Sequence, residues 1–243
     1  MRLRRAVNRL LANIGSEISD RTLRELARQW TRAAWQRELH LQTTWLGFPI
    51  LQWPTDMVVM QEIICQQRPR VIIETGTYGG GSAVFYASLL RLLGGGRVVS
   101  VDIEAGDDVR RALAASPFAD VITLVRGDSK APEVVGRVKQ AVGEEKNVLV
   151  VLDSDHSRAH VLGELRAYSD LVPVGGYLVA MDTICHDLWD LPNAARDWKD
   201  NNPLRAVEDF LREHPEFEVD RSREKLLVTF SPGGFLRRVL IPQ

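Results

Sequence analysis

From Arg70 onward the sequence alternates short apolar runs with stretches of helical periodicity, and few folds can absorb that alternation. The runs are VIIE at 71–74, RVVSVD at 97–102, VITLV at 121–125, NVLVVLD at 147–153 and GYLVAMD at 176–182. Each is almost continuously apolar, as strands covered on both faces must be. Helical stretches near 81–93, 107–115, 131–142 and 157–171 separate them, so right-handed crossovers into a parallel sheet are expected. FEVD at 217–220 and KLLVTF at 225–230 lie close enough to form a hairpin at the sheet edge. The reading is thus an α/β chain with seven strands, mostly parallel, ending in an antiparallel hairpin. Ahead of the sheet, helices are expected at 3–13, 21–40 and 57–67. The last two are joined by a connector containing Trp45, Gly47, Pro49, Trp53 and Pro54. Residues 1–55 read as a helical segment serving oligomerisation or covering a substrate, and 56–243 as the α/β domain.

The formal charge of −1 gives no global field toward nucleic acid or membrane, although Arg2, Arg4, Arg5 and Arg9 leave a local basic patch. Cys65 and Cys185 stand far apart in no metal-binding spacing, which suits two thiols in a reducing cytoplasm. Neither a signal peptide nor a membrane-spanning run is read.

In open parallel sheets ligands bind beyond the carboxyl ends of the strands, so the last residues of each strand matter most. ETGTYGGGS, Glu74 to Ser82, follows the first strand. Its glycines allow a sharp turn and close backbone approach to a ligand, and Ser82 can open the next helix. Gly76 is followed by Thr77 and Tyr78, so the Gly-x-Gly of a pyrophosphate loop is missing, and Glu74 suits an amino group better than a phosphate. Asp102, closing the second strand, serves ribose hydroxyls or caps a helix. Asp128 and Ser129 serve an adenine edge or cap the helix starting near Ala131. Asp153, Asp155 and His156 end the fourth strand and Asp182 the fifth. Carboxylates converging there need a cation, for which Mg²⁺ is the natural candidate, unless they only cap helices. His156 is the candidate base, with His160 and His186 as competitors.

WLGFPILQWPTDMVVMQEII, VIIETGTYGGGSAVFYASLL, GGGRVVSVDIE, GDS, VLDSDHSRAHVLGELRAYSDLVPVGGYLV and DT occur in this order between Trp45 and Thr183. In that combination the chain resembles the cephalosporin hydroxylase and rhamnosyl O-methyltransferase family. The resemblance implies a Rossmann-like methyltransferase fold, S-adenosylmethionine binding, a Mg²⁺ site in several members, and homo-oligomers. By position it places Glu74, Gly76, Gly80, Asp102 and Asp128 at the cofactor, and Asp153, Asp155 and Asp182 at the metal. Taken with the loop reading, the candidate cofactor contacts are Glu74, Gly76, Thr77, Tyr78, Gly80, Ser82, Asp102, Asp128, Ser129 and Asp153. Asp153 and His156 are the candidate catalytic pair, His156 having the offset of the base lysine in catechol-type enzymes. The expected acceptor is a small molecule, a sugar hydroxyl on a glycolipid or natural product. Two departures stand out: Met181 replaces the family's glutamate before Asp-Thr, and Gln52 stands where a lysine is expected. A thioether is a poor ligand for a hard cation, which leaves Asp155 or Asp187 as replacements, or a lost metal site. A hydroxylation role, a nicotinamide oxidoreductase and a non-catalytic binding protein remain as other readings.

Overall fold

The computed structural model describes residues 19–240. The helix expected at 3–13 and the basic patch at 2–9 lie outside them.

The first described helix, α1 (Asp20–Gln36), starts where the Ser19 hydroxyl accepts the amide of Thr22. It ends earlier than the expected residue 40, because Glu38 turns left-handed and a short 3₁₀ turn follows at Leu39–Gln42. The connector folds into a small antiparallel pair, β1 (Thr44–Trp45) and β2 (Phe48–Pro49), closed through Leu46 and Gly47, both at positive φ. Pro54 opens α2 (Pro54–Gln67) at the position where a missing amide costs nothing.

The main sheet contains β3 (Val71–Thr75), β4 (Arg97–Asp102), β5 (Ile122–Arg126), β6 (Val148–Leu152), β7 (Tyr177–Ala180), β8 (Phe217–Val219) and β9 (Phe235–Arg238). Their order is β5-β4-β3-β6-β7-β9-β8, with β9 antiparallel to both of its neighbours, β7 and β8, and every other pair parallel. Between them run α3 (Gly81–Leu92), α4 (Asp107–Ala115), α5 (Pro132–Val142), α6 (Arg158–Tyr168), α7 (Cys185–Leu188) and α8 (Pro203–Glu213). This is the Rossmann-like arrangement expected. β3 and β6, paired in the centre, are buried at every position, which is why their sequences carry no polar alternation. One core lies on each sheet face, with Val99, Val138, Leu165 and Phe210 on one and Ile63, Val84, Tyr86 and Phe235 on the other.

The edge hairpin differs from expectation in its second strand. Residues 225–230 form no strand; the last strand is Phe235–Arg238, inserted between β7 and β8. The apolar run 225–230 is instead used by packing, with Val228 and Phe230 lying against Ala34, Trp35 and Trp53. The true strand is short, and Gly234 before it runs so close to β7 that a Cβ there would sit 2.0 Å from the Ala180 carbonyl oxygen. No described helix is long and apolar enough to cross a membrane.

Candidate active site

The tips of β3, β4, β5, β6 and β7 open into one cleft of about 640 Å³. Glu74 is almost wholly buried at the end of β3, two residues before the cleft-lining Gly76, with Oε1 unpartnered. Burial pushes this carboxyl up to about 7, with hydrogen bonds from Ser100 and Ser82 opposing and the charges of Asp153 and Asp102 adding to the rise. An unpaired acidic oxygen in such a place is fit to receive a cationic group of a ligand.

Past β3 the chain turns at Gly76, at φ +89°, so close to β6 that a Cβ would lie 1.9 Å from the Asp153 carbonyl oxygen. Gly80, at φ +80°, leads into α3. The other two glycines serve the connector: Cβ atoms at Gly79 and Gly81 would lie 3.0 and 2.2 Å from Pro49 atoms. Thr77 turns inward, its hydroxyl 2.5 Å from that of Ser100, whereas Tyr78 is exposed and donates its amide to Asp102 Oδ2 at 3.0 Å. Asp102 Oδ1 accepts the amide of Glu104 at 2.8 Å, so this carboxylate is oriented by backbone donors and still lines the cleft.

At β5, Asp128 accepts both the amide and the ammonium of Lys130, each at 3.1 Å. Desolvation pushes its carboxyl up, yet those bonds prevail and it titrates below the ordinary range. Ser129 is already occupied, donating to Glu164 Oε1 at 2.5 Å and lying 3.0 Å from His160 Nε2. His160 is thereby committed to a network with Glu164 and Lys130, set apart from the aspartates. Lys130 and Glu164 carry no motif, and sequence reasoning had no signal for them.

Three of the sequence-derived residues converge. The ligand atoms of Asp153, His156 and Asp182 lie within 4.8 Å of one another. His156 Nε2 is 3.2 Å from Asp182 Oδ2 and 3.8 Å from Asp153 Oδ1. Desolvation alone lowers an imidazole pKa, but the charge of Asp182 and the bond to Asp153 outweigh it, and His156 holds its proton well above the ordinary range. Burial, together with Asp153, raises Asp182 in turn. Asp182 takes φ +53°, a left-handed turn that carries its side chain off the end of β7. Asp155 does not join this group: it is exposed, and its Oδ1 accepts the Ser157 amide at 2.7 Å. Asp187 pairs with Arg28 at 3.3 Å, and Met181 is buried against the Ser231 hydroxyl, so neither adds a carboxylate. Gln52, in the lysine's expected place, reaches Asp153 Oδ2 at 3.4 Å. His186 is half-buried with Nδ1 unpartnered. Two carboxylates with an imidazole between them form a donor set compatible with a small divalent cation, which needs only one or two carboxylates and keeps water or substrate oxygens besides.

Comparison with known proteins agrees with this fold. The family model described as rhamnosyl O-methyltransferase/CmcI matches residues 37–239. A rhamnosyl O-methyltransferase of Mycobacterium leprae (strain TN) is 34% identical over 200 residues, covering 81% of this chain and 83% of that protein. One from Mycobacterium tuberculosis (strain ATCC 25618 / H37Rv) is 30% identical over 236 residues, covering 95% and 92%. Among solved structures, the apo form of CmcI aligns with a TM-score of 0.62 at 21% identity, covering 83% of this chain and 78% of that one. CmcI with Mg and SAM aligns at 0.58 and 20% identity, covering 82% and 78%. At these identities the structural likeness concerns the fold.

Proposed function

The chain belongs to the rhamnosyl O-methyltransferase/CmcI family, and from that premise we propose that it transfers the methyl group of S-adenosylmethionine to a sugar hydroxyl of a small-molecule acceptor. The observation that carries this reading is the convergence of Asp153, His156 and Asp182 in the same cleft as the Gly76 turn, which follows the buried Glu74 with its unpartnered Oε1.

S-adenosylmethionine supplies an electrophilic methyl group on a sulfonium. Glu74 would take the methionine ammonium and Asp102 the ribose hydroxyls, with Asp128 at the adenine end of the same cleft. Methyl transfer demands an in-line approach, so much of the acceleration comes from these residues fixing one substrate against the other. His156 removes the proton of the acceptor hydroxyl, held in direction by Asp182 and Asp153. Asp153 and Asp182 would hold Mg²⁺, which would acidify a bound hydroxyl and neutralise the two charges that otherwise keep the proton on His156. The buried thioether of Met181 favours a second reading, a cofactor-binding protein that has lost metal-assisted turnover.

Calorimetry and an activity assay separate these. The methyltransferase reading expects S-adenosylhomocysteine to bind, NAD not to bind, and methyl transfer to rhamnosides to rise with Mg²⁺ and vanish in Asp182→Ala. Tight S-adenosylhomocysteine binding without transfer to any glycoside favours the second reading.

The buried Glu74 adds a pH signature. Its carboxyl titrates at about 7 in the free protein, and only the ionised form pairs with an ammonium. Affinity for S-adenosylhomocysteine is therefore expected to be full above pH 7 and to fall by up to about tenfold per pH unit below it. Glu74→Gln should weaken binding at pH 8 and flatten the profile; a wild-type profile flat from pH 5.5 to 8 would remove Glu74 from the ammonium.

A further inference from the structure

Behind the cleft lies a wholly buried carboxylate, Glu164, on the inner face of α6 among Val161, Leu165 and Tyr168. A charge in such surroundings is costly unless hydrogen-bonded, and an apolar side chain of similar volume packs there at least as well. What the carboxylate adds is a bridge. Its Oε1 accepts two hydroxyls that come from two different strand tips. Ser129, just past β5, donates to it at 2.5 Å, and Ser154, just past β6, at 2.7 Å. The helix grips Ser129 at two further points: His160 Nε2 lies 3.0 Å from its hydroxyl, and the Tyr168 hydroxyl donates to its carbonyl at 2.5 Å. His160, Glu164 and Tyr168 recur at every fourth position, so they share one helix face. Glu164 Oε2 is buried without a partner among the described residues, which leaves Oε1 as the working atom.

The bridge spans a gap that the sheet leaves open. β5 and β6 are separated by β4 and β3, and the ladders linking them end at Asp102↔Arg126 and Thr75↔Leu152. Ser129 and Ser154 both lie beyond those last pairs. Each is also the chain neighbour of a residue assigned to the site: Asp128 at the adenine end and Asp153 at the reacting end. All four line the cleft, while Glu164 stands behind them. On the adenine side the grip extends outward through Lys130, whose ammonium lies 3.1 Å from Asp128 Oδ2 and 3.2 Å from His160 Nδ1.

We propose that Glu164 is a positioning residue for methyl transfer: by tying Ser129 and Ser154 to α6, it fixes the span between Asp128 and Asp153 across the cleft. This rests on the methyl-transfer reading for where the two ends of the cofactor lie. A ligand that touches both ends binds fully only when their spacing already matches it, because otherwise part of its binding is spent on ordering the cleft.

The test uses Glu164→Leu, which keeps the volume and removes the bridge, and Glu164→Gln, which keeps an acceptor oxygen for both serines. S-adenosylhomocysteine binding to the full chain is measured by calorimetry at a temperature where thermal unfolding shows each variant folded. Glu164→Leu is expected to weaken binding about 10- to 100-fold, since two hydrogen bonds to a charged group are lost. Glu164→Gln is expected to stay within about fivefold of wild type. If Glu164→Leu does not fold, Ser154→Ala cuts one arm of the bridge and is expected to weaken binding about three- to tenfold. A carboxylate serving stability alone would shift Tm and leave the Kd of folded protein where it was. A Kd within about twofold of wild type in folded Glu164→Leu, or in Ser154→Ala where that variant replaces it, therefore overturns the proposal alone. Wild-type protein that does not bind S-adenosylhomocysteine removes the methyl-transfer reading and the proposal together.

Discussion

His156→Ala is expected to lower kcat by about 10²- to 10⁴-fold while S-adenosylhomocysteine binds as before. The imidazole lies 3.2 Å from Asp182 and 3.8 Å from Asp153, at the end of the cleft proposed to be catalytic. Its loss removes the proton acceptor without touching the groups assigned to the cofactor. The competing histidines give the control. His160 is engaged with Ser129 and Glu164, so His160→Ala should alter cofactor-side packing and leave the pH dependence of turnover in place. The proton on His156 is held above the ordinary range, so the neutral base form grows as pH rises; wild-type turnover without divalent cation should therefore keep climbing as pH is raised beyond the ordinary imidazole range. Methyl transfer followed by mass spectrometry across that range, for wild type and His156→Ala, checks both statements. A variant with intact kcat would place the base elsewhere.

The second large effect concerns the backbone. Gly76→Ala is expected to destabilise the fold by about 3–5 kcal/mol and to abolish turnover. The position has φ +89°, which an L side chain rarely adopts, and the added Cβ would lie 1.9 Å from the Asp153 carbonyl oxygen. Relief requires the tips of β3 and β6 to part, and those tips carry Glu74 and Asp153. In a chain of this size the loss corresponds to a Tm fall of roughly 6–20 °C. Gly136→Ala is the matched control: this helical glycine has open space at its Cβ and ordinary φ, so alanine should gain about 0.5–1 kcal/mol. Thermal unfolding of the two variants beside wild type decides the matter, and equal Tm values would refute the close packing described here.

What could be read from the sequence follows a physical line. Strands buried on both faces have sequences that no other element explains, so β3, β4 and β6 start and end within a residue or so of the expected runs, and the half-exposed edge strand β5 is displaced by one. Strand ends then place their own last residues, which is why Asp102, Asp153 and Asp182 all line the cleft without any long-range inference. The last strand was not legible, because β9 has only four residues, two of them arginines, while the apolar run at 225–230 packs against Trp35 and Trp53 instead. Asp155 looked equivalent to Asp153, but two residues past the strand its carboxylate is turned back onto the Ser157 amide. Two of the four loop glycines accommodate Pro49, a demand arising only once the connector crosses α3. The cluster of Trp35, His40 and Phe230 joins residues nearly two hundred positions apart, and neither helical periodicity nor any motif announces it.

A crystal structure of the protein grown with S-adenosylhomocysteine tests the central claim most directly. The account predicts the amino acid moiety at Glu74, the ribose at Asp102 and the thioether sulfur facing Asp153, His156 and Asp182, with the Trp35 end of the cleft still open. Density for the molecule anywhere else, or with its sulfur turned from the aspartates, would contradict it.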